Sequence, residues 1–259
     1  MRPRNAVVAV MNAVPRAVAR RFRGESRIAG FVRPVVNRVL PKGPAWVTVR
    51  AGRGIGLRLL IDPREEKYYW TGLYEPEVQA IVTQHLKPGD VMWDVGAHIG
   101  FLAAIASRAV GPTGLVVAFE PLEENVGRLS KTVEANGLAN VTIREAALSS
   151  SAGSSPFFVH RSTLMGGLSG ASDAPRVEVA TTTLDAELTS LGPPTLVKID
   201  VERYEGEVIA GGQRLFNDVR PLLIIELLND QAEARARTLL RRYTLRRLDG
   251  HNFIADPTS

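Results

Sequence analysis

From about residue 88 onward, short β-branched and apolar runs alternate with longer stretches whose apolar side chains recur every three or four positions. The runs at 91–95, 115–119, 141–144, 195–200 and 221–226 predict strands of the near-continuous apolar kind that a parallel sheet buries on both faces. Between the second and third, Leu122, Val126, Leu129 and Val133 line one helical face, and Asn136-Gly137 supplies a left-handed stop. Helices are likewise expected over 99–109, 204–216 and 231–242. At the end, residues 243–248 and 252–255 flank Asp249-Gly250 and predict a closing hairpin. The order is that of an α/β protein, a mostly parallel seven-stranded sheet with helices on both faces and an antiparallel end strand.

Two stretches fall outside the alternation. Residues 149–175 are rich in Ser, Gly and Ala around the β-like Phe157-Phe158-Val159 and read as an inserted hairpin or lid. Residues 46–49 and 57–61, joined across a glycine-rich turn, suggest a small β unit leading into the main domain. No internal repeat is visible. The division this implies is a basic extension over 1–45 and one domain over 46–259.

Composition changes the picture at one end. Across the 259 residues, 45% hydrophobic and 23% charged is an ordinary globular mixture. The absence of cysteine excludes disulfides, thiolate metal sites and a cysteine nucleophile. Residues 1–40, however, carry nine arginines and a single acid, Glu25, so they hold +8 of a chain whose net charge is +5. Val7, Val10 or Met11, Val14 and Val18 at helical spacing beside Arg16, Arg20, Arg21 and Arg23 suit a packed or frayed basic arm first, with peripheral contact to an anionic membrane surface or an acidic partner as the alternative. The apolar run at 6–11 is too short to span a bilayer, which needs about 20 residues. Asn12 and Pro15 break the signal-peptide-like pattern of the same segment. A cytoplasmic location is expected, with membrane association through the arm as its variant.

The clearest local chemistry follows the first main strand. Val91-Met92-Trp93-Asp94-Val95 runs into Gly96-Ala97-His98-Ile99-Gly100, a glycine-punctuated turn that opens a helix. A dinucleotide fingerprint needs G-x-G-x-x-G, whereas here His98 and Phe101 occupy the second and third glycine positions. Pyrophosphate binding is therefore disfavoured. The turn instead resembles the first motif of S-adenosylmethionine-dependent methyltransferases, and that resemblance implies that Asp94, Gly96, Ala97, His98 and Gly100 hold the methionine part of the cofactor. The second strand ends in Glu120, where a carboxylate can accept both hydrogen bonds of a ribose diol. The third leads into Glu145-Ala146-Ala147-Leu148, where the same pattern implies adenine contacts for Glu145 and Ala146.

Further along, Thr183-Leu184-Asp185, then Val197-Lys198-Ile199-Asp200-Val201-Glu202, Glu205, Pro221 and Ile224-Ile225-Glu226 appear in succession. With Tyr74-Glu75 ahead of the glycine turn, this series resembles the landmarks of FkbM-type methyltransferases over about residues 70–228. The resemblance implies a Rossmann-like fold, S-adenosylmethionine as cofactor with Glu75 among its contacts, and O-methylation of a hydroxyl on a sugar, polyketide or related metabolite. One position departs from the pattern: where the family has a glycine after its Val-Glu, this chain has Arg203.

Methyl transfer to oxygen is an in-line displacement, so the protein must align the acceptor and remove its proton. Asp200, Glu202 and Glu226 end the fourth and fifth strands, where open α/β sheets place their chemistry. One of them serves as general base, or they hold a divalent cation that acidifies the hydroxyl. Lys198 is expected to pair with an acid, and His98 is a further candidate base. The acceptor is a small molecule or glycan; no base-flipping motif accompanies the basic arm to suggest nucleic acid. The competing readings are a nicotinamide-dependent oxidoreductase and a non-catalytic binding protein of the same fold.

Overall fold

The computed structural model describes residues 40, 43–159, 166–168 and 175–258. The basic arm, with its apolar stripe, and the tip of the insertion lie outside the described residues.

The first element among the described residues is the expected β unit, β1 (Ala45–Thr48) antiparallel to β2 (Arg58–Ile61). Two helices follow, α1 (Lys67–Thr71) and α2 (Pro76–His85). Neither was expected, though Pro76 at the first helical position is a recognised start signal. The main sheet is then built from β3 (Val91–Val95), β4 (Leu115–Phe119), β5 (Val141–Arg144), β10 (Leu196–Ile199), β11 (Leu222–Glu226), β12 (Tyr243–Arg247) and β13 (Asn252–Pro257). Its order is β12-β13-β11-β10-β3-β4-β5, parallel throughout except for β13, which runs against β11 and β12. The insertion forms a separate sheet, β6 (Ala147–Leu148), β9 (Arg176–Thr182), β7 (Gly153–Val159) and β8 (Gly166–Gly167) in that spatial order.

After β3 the chain moves outward through β4 and β5, and β10 returns to the other side of β3. A crevice therefore opens above the carboxyl ends of β3 and β10, which is where a ligand belongs in such a sheet. Alternation along β3 sends Met92 into the core shared with α2, α3 (Phe101–Val110) and the β1–β2 unit, and Trp93 into the opposite core beside β11, β13 and α7 (Asp230–Leu239). These fully buried faces anchor the strand ends that carry the site.

Helix α4 (Glu123–Asn136) ends as expected at a left-handed Gly137. Its inner face differs from the expected apolar stripe: Leu129 is buried, but Asn125, Arg128 and Thr132 are the buried companions, while Val126 and Val133 are only half-buried. The reason is polar pairing across the fold. Arg128 donates from Nε and Nη2 to the Leu60 carbonyl at 3.1 and 2.9 Å and forms a buried ion pair with Glu66. The helix expected over 204–216 is broken into α6 (Glu205–Ala210) and a π-helical turn, Leu215–Val219. Gly211-Gly212 interrupts it, and the Asp185 carboxylate restarts it by accepting from the Arg214 and Leu215 amides at 3.0 and 2.9 Å. Thr183 caps α5 (Leu184–Leu191) through the Ala186 amide at 3.0 Å. The Thr183-Leu184-Asp185 landmark is thus architectural. No helix of the described residues is long and apolar enough to cross a membrane.

Candidate active site

The glycine turn after β3 joins two parts of the protein. Gly96 has φ +85°, and a Cβ there would lie 1.9 Å from the Asp200 carbonyl oxygen. Its glycine is needed to bring the β3 and β10 ends together, rather than for approach to a ligand alone. His98 also sits in the left-handed region, at φ +51°. It is held there on three sides: its amide donates to Glu120 Oε2 at 2.9 Å, Nδ1 lies 3.2 Å from the Tyr69 hydroxyl, and Nε2 lies 3.6 Å from the buried Glu66. With Arg128 on Glu66, a chain of paired groups runs from the glycine turn into the N-terminal β unit.

A cleft opens over this turn. It is lined by Asp94, Gly96, Ala97, His98, Glu120, Ala146, Asp200, Glu202 and Glu226 among the residues the sequence singled out. Gly100 caps α3 behind the turn, and Glu75 is half-buried outside the lining; neither borders the cleft. Glu145 is exposed and also outside the lining, so only Ala146 of that pair borders the cleft. Tyr74, from the family-like Tyr74-Glu75 pair, and Tyr204 also border the cleft, as do Tyr69, Asn125, Phe157 and Leu168, which no motif announces. Phe157 and Leu168 come from the insertion, which therefore forms one side of the cleft.

Glu120 is almost fully buried, and Oε1 accepts from the Leu122 amide at 3.1 Å and the Asn125 side chain at 3.2 Å. With the His98 amide on Oε2, three of roughly four acceptor positions are engaged. One position remains open on the carboxylate. Burial raises the Glu120 carboxyl, against the pull of these hydrogen bonds. Asp94 is different: it is fully buried and neither oxygen makes a hydrogen bond of good geometry, although the Ala103 amide is near enough to pull its carboxyl down. Burial pushes its carboxyl up to about 6, with Lys198 opposing and Asp200 adding to the rise.

Lys198 is the register partner of Asp94 on the neighbouring strand, and its ammonium donates to Asp200 Oδ2 at 2.8 Å. The expected pairing with an acid is present. Burial works against this ammonium, but Asp200, Asp94 and Glu75 outweigh it and hold it above its ordinary range. Asp200 is the mirror case: burial works to raise it, and Lys198 with a hydrogen bond from Glu226 brings it below the usual carboxylate value. Glu226 is pushed up to about 9 by burial and by Asp200, so it keeps its proton at neutral pH. Glu202 is pushed to about 7 by burial, Asp200 and Glu205. Each of Asp200, Glu202 and Glu226 offers one oxygen within 4.8 Å of the others.

The acidic strand ends, the glycine turn and their order along the chain decide the family. Residues 94–247, more than half of the chain, match the methyltransferase FkbM domain. The chain belongs to the FkbM methyltransferase family. The methyltransferase is 30% identical over 196 residues to hexuronic acid methyltransferase AglP of Haloferax volcanii, a match covering 70% of this chain and 79% of that protein. Among solved structures it is similar to precorrin-6y C5,15-methyltransferase of Geobacter metallireducens GS-15 (TM-score 0.48, 18% identity, 71% of this chain and 89% of that one). It is also similar to methyltransferase FkbM of Methylobacillus flagellatus KT (TM-score 0.47, 16% identity, 73% of this chain and 55% of that one). The enzyme is an S-adenosylmethionine-dependent methyltransferase, and the readings as a nicotinamide-dependent oxidoreductase or a non-catalytic binding protein are set aside.

Proposed function

We propose that the methyltransferase transfers the methyl group of S-adenosylmethionine to a hydroxyl of a carboxylate-bearing sugar, with Glu202 as the general base. The observation that carries the reading is the division of labour among three neighbouring acids. Asp200 is kept ionised but weakly basic by Lys198, Glu226 keeps its proton, and Glu202, at about 7, is the group able to accept a proton near neutral pH. The similarity to a hexuronic acid methyltransferase supports a sugar acceptor with an acidic group.

The cleft suits the cofactor. Asp94, buried with no hydrogen bond of good geometry to either oxygen and only the Ala103 amide nearby, matches the ammonium of its methionine part. Glu120 offers its remaining acceptor position to the ribose, and Ala146, Leu122 and Phe157 supply apolar walls for the adenine. When bound, the cofactor supplies an electrophilic methyl on a sulfonium. Glu202 then takes the acceptor's proton, Glu226 and Asp200 orient the hydroxyl, and the insertion covers the reacting atoms from water. A second reading rests on the 4.8 Å spacing: the three acids hold a divalent cation that acidifies the hydroxyl.

The test is to incubate the enzyme with methyl-labelled cofactor and methyl glucuronide and to follow label in the sugar by mass spectrometry. Stable methyl ether is the expected product. Activity that survives chelation supports Glu202 as base, whereas activity lost on chelation and restored by magnesium supports the cation. Label that enters no sugar, from an enzyme that binds the cofactor, overturns the acceptor class.

A further inference from the structure

At the end of β10 the backbone takes two consecutive left-handed steps, Glu202 at φ +52° and Arg203 at φ +73°. For a residue with a Cβ, this conformation costs roughly 1–2 kcal/mol relative to the right-handed alternative. Glycine at position 203 would take it freely. Surrounding structure enforces the turn: the Arg203 amide donates to Glu205 Oε1 at 2.9 Å, and Gly167 of the insertion packs so closely that a Cβ on it would lie 2.9 Å from the Glu202 carbonyl oxygen. Nothing about the fold calls for a large cation here. The Arg203 side chain is exposed and takes part in none of the ion pairs among the described residues.

The surrounding charge shows what such a cation is for. Asp94, Glu120, Asp200, Glu202 and Glu226 all face the cleft, and the one lysine among its lining, Lys198, is buried and spent on Asp200. An anionic acceptor entering this cleft meets the charge of Asp200 and, once ionised, of Glu202, and among the described residues of the lining the one lysine is already paired. Arg203 stands between Glu202 and Tyr204, both of which line the cleft, and its charge is felt by the Glu202 carboxyl. We infer that Arg203 binds the carboxylate of the acceptor at the mouth of the cleft, and so selects acidic over neutral sugars. The planar guanidinium can grip a carboxylate through two parallel hydrogen bonds, a geometry that lysine does not offer. The inference rests on the reading of the acceptor as a sugar and adds the residue that reads its acidic group.

The test uses the enzyme loaded with S-adenosylhomocysteine, titrated calorimetrically with methyl glucuronide and with methyl glucoside. The wild type should bind the glucuronide more tightly. Arg203→Gln should weaken the glucuronide on the order of 10- to 100-fold, the loss of a charged hydrogen-bonding pair, and leave the glucoside unchanged. Arg203→Gly should lose the same discrimination while its melting temperature rises, because the strained step is relieved; a residue kept only for structure would show no ligand-dependent change. Equal binding of the two sugars by the wild type, binding of neither, or discrimination that survives both substitutions overturns the assignment. Methyl transfer to the glucoside with no preference for the glucuronide would sink the role of Arg203 while leaving sugar O-methylation standing.

Discussion

Asp94→Asn separates charge from shape at the floor of the cofactor cleft. The carboxyl stands at about 6 in the folded protein against 3.8 for an ordinary aspartate. Holding it ionised at neutral pH therefore costs about 3 kcal/mol, at about 1.4 kcal/mol for each pH unit between the two values. The direction follows: relative to the unfolded chain, the cofactor-free protein is most stable below pH 3.8, loses stability as the pH rises to about 6, and changes no further on this account above it. An ammonium placed against Asp94 offsets that cost, but only while the acid is ionised. Cofactor affinity should then be about tenfold weaker at pH 5 than at pH 7, from the fraction of Asp94 protonated in the free enzyme. In Asp94→Asn, loss of a charged hydrogen bond worth about 1.5–3 kcal/mol should weaken binding roughly 10- to 100-fold at pH 7. The pH dependence that Asp94 contributes should vanish with it. Calorimetric titration of both proteins with S-adenosylmethionine from pH 5 to 8 gives the comparison, and the contributions of Glu120, Glu202 and Glu226 cancel in the difference between the two curves. Parallel curves, or an asparagine variant of unchanged affinity at pH 7, would refute the pairing of Asp94 with the ammonium.

The base assignment predicts that the methyl-transfer rate of the wild type rises with pH through about 7 and then levels, because Glu202 must lose its proton before it can accept one. Glu202→Gln should lower that rate by roughly 10²- to 10⁴-fold and remove the rise, measured in single-turnover assays; a retained profile points to another base. Glu66→Ala strips the buried Arg128 of its counter-ion and His98 of a neighbour, and should cost about 3–5 kcal/mol in urea unfolding. A cost below about 1 kcal/mol would place that pair in solvent-like surroundings. Gly96→Ala introduces a Cβ 1.9 Å from the Asp200 carbonyl at a left-handed φ. It should yield protein that is insoluble or has a much lower melting temperature, and a normal melting curve would show that the β3 and β10 ends can separate.

The local pattern of the chain was enough to locate the main-sheet strands, the closing hairpin, the inserted β segment and the acids at the strand ends, because strand burial and turn chemistry are written in neighbouring residues. Asp94, His98, Glu120, Asp200, Glu202 and Glu226 were recognisable from their places after apolar runs. What each acid does was not. Lys198 was legible as the partner of some acid, but its 2.8 Å contact with Asp200 holds that group as an anion, which is what makes Glu202 the proposed base, and this depends on which side chains the β3–β10 pairing brings together. The inward polar face of α4 was hidden for a similar reason. Hydropathy assigns arginine and asparagine to solvent, whereas Arg128 and Glu66, 62 positions apart, satisfy each other in the interior. Gly100 and Glu145 lie just past the ends of β3 and β5, and Glu75 precedes α2, yet all three are outside the cleft, since nearness in sequence does not say which residues face a shared crevice. Arg203 could be seen as a departure from the family pattern, but its left-handed backbone, and hence the cost of placing any side chain there, appears only once the insertion and β10 are packed together. Periodicity reports the average polarity of an environment; the protonation and partners of a buried polar group are set by contacts between distant segments, which the tertiary fold alone decides.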